Sequence, residues 1–314
     1  MNNTAVGHTH QPVLLEETVT RLAVRADGVY VDATYGRGGH SREILRHLGA
    51  EGRLIVMDRD PQAVAAAQME WNGDGRVTVH RGAFSMLERI VRQHGVCGQV
   101  NGVLLDLGLS SAQLDDARRG FSFLRDGPLD MRMDPESGES AADWLARATS
   151  AEIVAVIQRY GEERFARRIA RALVAARARA PITRTQQLAD IVSEAVPTRE
   201  RRKHPATRTF QALRIYINRE LDELAECLDQ CLRVLAPGGR LVVISFHSLE
   251  DRLVKRFMRG HARAAPPDPR APWLPPAARP SLRLAGKATR PQALEIERNP
   301  RARSAVLRTA ERLA

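Results

Sequence analysis

VYVDATYGRGGHS, residues 29–41, is the stretch that decides which fold this sequence predicts. Its first five residues form a short, β-branched run, which is typical of a strand buried on both faces. Three glycines follow, and we expect Ser41 to cap the next helix. A strand, a glycine loop and a helix in this order form the anion-binding cradle of open α/β sheets, although such a loop on its own can also be a simple turn. The glycines are Gly36, Gly38 and Gly39.

A second strand, predicted over residues 53–58, limits the classes of ligand that the glycine loop can bind. It ends at Asp58, about 20 residues beyond the glycines, which is the spacing of a carboxylate that binds a ribose hydroxyl pair. The dinucleotide pattern G-x-G-x-x-G is not met, because its third glycine would fall at Ser41. An adenosine ligand that carries an amino-acid carboxylate therefore fits better than a pyrophosphate, and S-adenosylmethionine is such a ligand.

Further candidate site residues lie at the ends of three more predicted strands, over residues 77–80, 100–107 and 240–246, or shortly after them. Phe84 follows the first of them, where an aromatic ring can lie against a flat base or simply fill the core. Ligands of open sheets gather at the carboxyl ends of strands, so the polar residues after the other two are expected to face the cofactor or the acceptor. These are Asp106, Ser110, Ser111, Ser245 and His247. Asp106 could also be an ordinary turn carboxylate.

The segment 112–225 carries helical patterns and no strand signals. It predicts a helical insertion between strands four and five, and its last helix is expected over residues 210–228. Residues 1–111 and 226–314 then form the catalytic domain, with two final strands near 282–284 and 304–308.

Charge points to a polyanionic partner. The formal net charge is +11, and only three of the 48 basic residues are lysines, although an arginine-rich genome would also produce such a balance. One basic cluster, opposed only by Glu200, could line a phosphate path or be a solvated face. It consists of Arg199, Arg201, Arg202, Lys203 and Arg208.

The cysteines and the hydropathy of the sequence argue against a disulfide-rich, zinc-binding or membrane-spanning protein. Cys97, Cys227 and Cys231 are odd in number and scattered, which argues against a disulfide framework and against zinc, so we expect no metal site. No stretch resembles a leader or approaches the roughly 18 apolar residues of a membrane span, so a cytoplasmic location is expected.

Motifs along nearly the whole chain resemble one family, the bacterial 16S ribosomal RNA cytosine-N4 methyltransferases known as the small-subunit methyltransferase H family. SFHSLEDR, HPATRTFQALR and NPRARSAVLR are the most specific of these motifs, whereas LAPGGRL occurs in many methyltransferases. The similar segments are residues 10–17, 32–41, 58–63, 104–116, 130–134, 204–215, 235–241, 245–252 and 299–308.

The resemblance implies an α/β fold with a class I, Rossmann-like methyltransferase sheet and an all-helical insertion. It implies transfer of a methyl group from S-adenosylmethionine to the exocyclic N4 of one cytidine in the decoding centre of 16S rRNA, within the small ribosomal subunit. It also implies cofactor contacts, and this chain keeps each of the residues that make them: Gly38, Gly39, His40, Asp58, Phe84, Asp106 and Gln113.

The sequence departs from DNA amino-methyltransferases, which usually carry S/D-P-P-Y/F/W after strand four, whereas this chain has Asp106-Leu107-Gly108-Leu109. A DNA substrate is therefore not expected. Direct in-line transfer to an amine needs no covalent cysteine intermediate. A small-molecule methyltransferase and a non-catalytic RNA-binding assembly factor remain alternatives, and a homodimer is left open.

Overall fold

A computed structural model describes residues 12–197, 204–264 and 279–314. The chain divides into two compact units, one formed by Met1–Gly108 with Glu223–Ala314 and the other by Leu109–Asp222. The first unit is thus built from both ends of the chain, and the second is an insertion within it.

A seven-stranded sheet organises the first unit, with the order β3-β2-β1-β4-β5-β7-β6. Strands β1 to β5 run parallel to one another, and β7 runs antiparallel to both β5 and β6. This confirms the predicted Rossmann-like α/β fold. The strands are β1 (Val29–Asp32), β2 (Arg53–Asp58), β3 (Val77–Arg81), β4 (Val100–Asp106), β5 (Leu235–Ser245), β6 (Leu282–Leu284) and β7 (Val306–Arg312).

The helices of both units are, in chain order, α1 (Leu15–Leu22), α2 (Gly39–His47), α3 (Pro61–Glu70), α4 (Leu87–Gln93), α5 (Ser111–Asp115), α6 (Ala141–Arg147), α7 (Ser150–Gly161), α8 (Ala166–Arg177), α9 (Thr185–Ala195), α10 (Thr207–Ile217), α11 (Glu220–Val234), α12 (Ser248–His261) and α13 (Ala293–Arg298). Among the residues that the structure describes, no helix is long and apolar enough to cross a membrane.

Both faces of the sheet are covered by apolar layers. Strand β4 shows this in successive residues, because Val103 and Leu105 belong to one core cluster whereas Leu104 belongs to the other. All three side chains are fully buried. A strand buried on both faces needs apolar residues without alternation, which explains the continuous runs in the sequence.

Some helices of the insertion unit begin with polar caps. Ser140 and Thr149 begin α6 and α7 with capping boxes, in which the cap hydroxyl accepts a backbone N–H three residues on. Trp144 on α6 is almost fully buried, and its ring centroid lies 4.8 Å from that of Tyr216 on α10. The unit therefore has an aromatic core of its own.

The helix expected over residues 210–228 is interrupted, so this prediction was wrong. Helix α10 ends at Ile217 and α11 starts at Glu220, with Arg219 between them in the left-handed region at φ 51°. The buried Asn218 amide explains the break, because it donates to the Met131 carbonyl at 2.7 Å and accepts the Met133 N–H at 2.7 Å. Periodicity alone carries no sign of such a tertiary hydrogen bond.

Candidate active site

The glycine loop joins β1 to α2 at the carboxyl edge of the sheet. Gly38 occupies the N-cap position of α2 at φ 70°, with no side-chain cap. Ser41 was expected to be the cap, and this was wrong: it lies inside the first turn, and its hydroxyl donates to Asp32 Oδ2 at 2.6 Å. The left-handed backbone that glycine adopts readily lets the helix begin three residues earlier than expected.

Neither Gly38 nor Gly39 has room for a side chain. A Cβ at Gly38 would lie 2.5 Å from the Tyr35 hydroxyl oxygen, and one at Gly39 would lie 2.1 Å from Cγ of Pro12. The first N–H groups of a helix have no partner within the helix, so this bare first turn can present donors to an anionic group. The carboxylate of an amino-acid ligand is such a group.

Asp58 ends β2 beside this loop and holds it in shape. Its carboxylate accepts the N–H groups of Gly36 and Asp60, both at 2.8 Å. Burial raises the pKa of Asp58 to about 6, and the two backbone hydrogen bonds lower it only in part. The carboxylate retains acceptor capacity for two further donors, which suits a ribose hydroxyl pair.

A buried acid–imidazole group lies where β1 meets β4. Nε2 of His40 is 3.5 Å from Oδ2 of Asp106, and the backbone N–H of Asp106 donates to the Thr34 hydroxyl at 2.6 Å. Burial alone would lower the pKa of His40, but the Asp106 and Asp32 carboxylates together raise it above its usual value. Burial also raises the pKa of Asp32.

This group has hydrogen-bonding capacity to spare. Within the described part of the chain, both ring nitrogens of His40 and Oδ1 of Asp106 are buried without a hydrogen-bond partner. Buried polar atoms are nearly always paired, so orphans at a strand end indicate a missing ligand. Two carboxylates beside one imidazole suit a cationic ligand, and the ammonium and sulfonium groups of S-adenosylmethionine meet that requirement.

The remaining candidates of the first unit differ in their surroundings. Phe84 lies in a short 3-10 turn after β3, half-buried and packed against the sheet core. Ser245 ends β5 fully buried, and its hydroxyl has no partner among the described residues. His247 caps α12, where its Nδ1 accepts the Glu250 N–H at 3.4 Å and its Nε2 lies 3.1 Å from a Glu250 oxygen.

Three candidates belong to the insertion unit. Ser110 and Gln113 form the capping box of α5, in which the Ser110 hydroxyl accepts the Gln113 N–H and the Gln113 side chain accepts the Ser110 N–H. Ser111 is the first residue of that helix. Ser110 therefore has a structural task whatever else it does.

Of the basic cluster, only Arg208 can be placed. It lies on α10, 3.8 Å from a Glu163 carboxylate oxygen. Arg199, Arg201, Arg202 and Lys203 lie outside the described residues.

The sequence analysis missed two contributors, Asp32 and Thr34. Asp32 anchors Ser41, and Thr34 anchors the end of β4 next to Asp106. Asp32 is 1% exposed. An acid at the end of a strand predicted to be buried on both faces is a signal that it has a specific partner, and this signal was available in the sequence.

The strand order, the glycine loop at the point where the order reverses and the acidic group beside it define an S-adenosylmethionine-dependent methyltransferase of the Rossmann-like class. The model of the MraW methylase family matches residues 7–313, and the chain belongs to that family. It is a methyltransferase, and its cofactor is S-adenosylmethionine.

Curated relatives match over almost the full length. Proteins named ribosomal RNA small subunit methyltransferase H are 58% identical in Thioalkalivibrio sulfidiphilus, covering 97% of this chain and 98% of the relative. The corresponding values are 56%, 97% and 89% in Xanthomonas oryzae pv. oryzae, and 56%, 97% and 99% in Coxiella burnetii. Among solved structures, an rRNA methylase from Streptococcus thermophilus has a TM-score of 0.41 and 10% identity, covering 96% of this chain and 93% of that one.

Proposed function

We propose that this protein transfers a methyl group from S-adenosylmethionine to the exocyclic N4 of one cytidine in the decoding centre of 16S rRNA, in the cytoplasm. The relatives named above support ribosomal RNA of the small subunit as the substrate class. The net charge of +11 supports a polyanionic partner. The sequence motifs shared with cytosine-N4 methyltransferases support the choice of base and atom.

One observation carries the proposed chemistry: the Asp106 carboxylate ends β4 with one buried oxygen unpaired among the described residues. The amine of cytosine is a poor nucleophile because its lone pair is shared with the ring. An acceptor for an amine hydrogen returns electron density to nitrogen as the new bond forms. When bound, the sulfonium of the cofactor supplies an electrophilic methyl group. Asp106 is the acceptor that we assign, and Nε2 of His40 lies 3.5 Å from its other carboxylate oxygen.

The other candidate acceptors are Ser110, Ser111, Ser245 and His247. Geometry ranks them below Asp106, because the Ser110 and His247 side chains are engaged as helix caps. Ser245 is the strongest of the four, since its hydroxyl is buried at the end of β5, the strand next to β4.

The positions of the cysteine thiols do not support a covalent intermediate. Cys97 precedes β4, at the opposite end of the strand from Asp106. Cys227 and Cys231 are buried within α11. Direct in-line transfer is therefore the mechanism that we propose, with positioning and hydrogen-bond acceptance as the contributions of the protein.

We assign the cofactor to the unit that contains the sheet and RNA recognition to the insertion. The proposed cofactor contacts in the sheet unit are Gly36, Gly38, Gly39, His40, Asp58, Phe84 and Asp106. The resemblance implies Gln113 as a further contact, and this residue belongs to the insertion unit. Arg199, Arg201, Arg202, Lys203 and Arg208 are proposed contacts to phosphates. The target base must leave its stack before it can react, at a cost of a few kcal/mol, and contacts to the RNA backbone offset that cost.

Methyl transfer from labelled S-adenosylmethionine tests the proposal. The acceptors are unmodified 16S rRNA and small subunits that lack the modification, and the product is digested to nucleosides and analysed by mass. We expect N4-methylcytidine at one decoding-centre position. Label on another atom would refute the assigned acceptor, and tight cofactor binding without any transfer would favour a non-catalytic assembly factor.

A further inference from the structure

Helix α8 separates its apolar and basic residues onto opposite sides. The buried side consists of Ala166, Ile169, Ala170 and Leu173. The opposite side consists of Arg167, Arg168 and Arg171, all exposed, which we call the α8 arginine face. At about 100° per residue, these three arginines fall within an arc of about 100°, centred opposite the buried side.

Carboxylates do not neutralise this face as they do elsewhere in the insertion unit. Arg118, Arg147 and Arg184 each pair with a carboxylate, namely those of Asp116, Glu139 and Asp126. In contrast, Arg167, Arg168 and Arg171 have no carboxylate within 4.0 Å among the residues that the structure describes. The sequence from residue 164 to residue 189 holds seven arginines and no acidic residue.

The helix itself gains nothing from this arrangement. Its first turn contains no acidic residue, and cations near a helix N-terminus oppose the macrodipole. Arg167 and Arg171 are four residues apart on the helix, and like charges at this spacing repel each other. Helix stability therefore does not explain the α8 arginine face, whereas a polyanionic partner does.

We propose that the α8 arginine face binds the phosphodiester backbone of the substrate RNA. This inference rests on the proposed function and adds the surface that holds the substrate. From residue 167 to residue 171 the helix rises about 6 Å. Successive phosphates of one strand are about 3.4 Å apart along the axis of a duplex, so the face can reach about two of them. Planar guanidinium groups bind phosphate oxygens in pairs.

RNA fits this surface better than an anionic membrane. Helices that lie on membranes insert their apolar side between lipids, whereas the apolar side of α8 is buried within its own unit. A base-specific contact is not required, because the arginine face addresses only phosphates.

The test compares three variants of the full chain for binding to unmodified 16S rRNA over a range of salt concentrations. The test variant is R167Q/R168Q/R171Q, since glutamine keeps the helix propensity. Its matched control is R118Q/R147Q/R184Q, which loses the same net charge from the same unit at ion-paired sites. The third variant, R167K/R168K/R171K, keeps the charge. Circular dichroism and affinity for S-adenosylmethionine verify that each variant is folded.

We expect the test variant to bind RNA roughly tenfold or more weakly at 0.1 M salt. We also expect its slope of log K against log[salt] to be shallower by about 2 to 3. For the control and the lysine variant, the slope of log K against log[salt] should differ from the wild-type slope by less than about 1. Equal losses in test and control variants would overturn the inference, because net charge alone would then act. So would unchanged RNA binding with lost binding to phosphatidylserine vesicles, in favour of a membrane surface.

Failure of this inference is distinguishable from failure of the proposed function. If the wild type methylates 16S rRNA and all variants bind it alike, only the assignment of the surface is refuted. If the wild type neither binds nor methylates the RNA, both are refuted.

Discussion

Asp58 should make cofactor affinity depend on pH, and the size of the effect follows from its pKa. Burial raises that pKa to about 6 from an ordinary value of 3.8. Ribose hydroxyls that donate to this carboxylate stabilise its ionised form, so the pKa falls on binding and the proton is released. Affinity must therefore decrease as the pH falls through 6.

With a pKa of about 6 in the free protein, the protonated fraction makes the dissociation constant roughly tenfold larger at pH 5.0 than at pH 7.5. This corresponds to about 1.4 kcal/mol. The folding stability of the free protein should depend on pH in the opposite direction and increase as the pH falls. Its folded state holds this proton more tightly than the unfolded chain does, so ionised Asp58 costs stability above pH 6, and that cost decreases as the pH falls from about 6 towards 3.8.

Calorimetric titration with 5′-methylthioadenosine isolates the effect. This ligand keeps the ribose but lacks the amino-acid end, so titration of His40 contributes little. D58N should bind 5′-methylthioadenosine weakly, and its affinity should be the same at pH 5.0 and at pH 7.5. D74N is the control, because Arg76 lowers the pKa of the partly exposed Asp74, so this carboxyl group stays ionised over the same pH range. A wild-type dissociation constant that stays constant from pH 5.0 to 7.5 would refute the ribose assignment.

Three further perturbations test other parts of the molecule. D106A should lower the single-turnover rate with saturating cofactor and RNA by about 100-fold or more, the range of a lost proton acceptor, and a loss below fivefold would remove Asp106 from the mechanism. G38A should destabilise the protein by more than G73A in urea unfolding. Both glycines have positive φ, which costs roughly 1–2 kcal/mol for alanine, but only Gly38 has atoms in the way of a Cβ. Equal losses would show that Tyr35 moves aside freely. N218A should cost about 2–4 kcal/mol, because it leaves backbone groups of Met131 and Met133 unpaired in the interior; a loss below 1 kcal/mol in the same assay would mean that water replaces the amide.

Most of the sheet was predictable because each of its strands carries a local signal, although β5 begins at Leu235 rather than at residue 240 and β7 ends at Arg312 rather than near residue 308. The run ending at Asp58 gave β2 with its observed bounds, and the runs ending near Asp106 and His80 gave β4 and β3 within one residue. The interruption of the helix at Asn218 was not predictable, since it depends on a hydrogen bond to a loop more than 80 residues away.

The candidate site likewise contains some features that the sequence predicts and others that it does not. Asp58 and Asp106 could be predicted because strand ends of an open sheet converge at one edge. The pairing of Ser41 with Asp32, and of His40 with Asp106, depends on side-chain directions that spacing does not encode. The capping role of His247 could have been recognised, because a polar residue followed by a glutamate three positions later is a helix-start pattern.

The insertion also determines when the sheet can be completed during synthesis. Strand β4 pairs with β1 on one side and with β5 on the other, and 139 residues separate the end of β4 from the end of β5. At about 5–20 residues per second, the ribosome needs roughly 7–30 s to supply that partner. For this time a strand with apolar residues on both faces has an open edge, the kind of edge that pairs with other chains. The nascent first half of the chain is therefore the stage most exposed to aggregation, and a holding chaperone would act there.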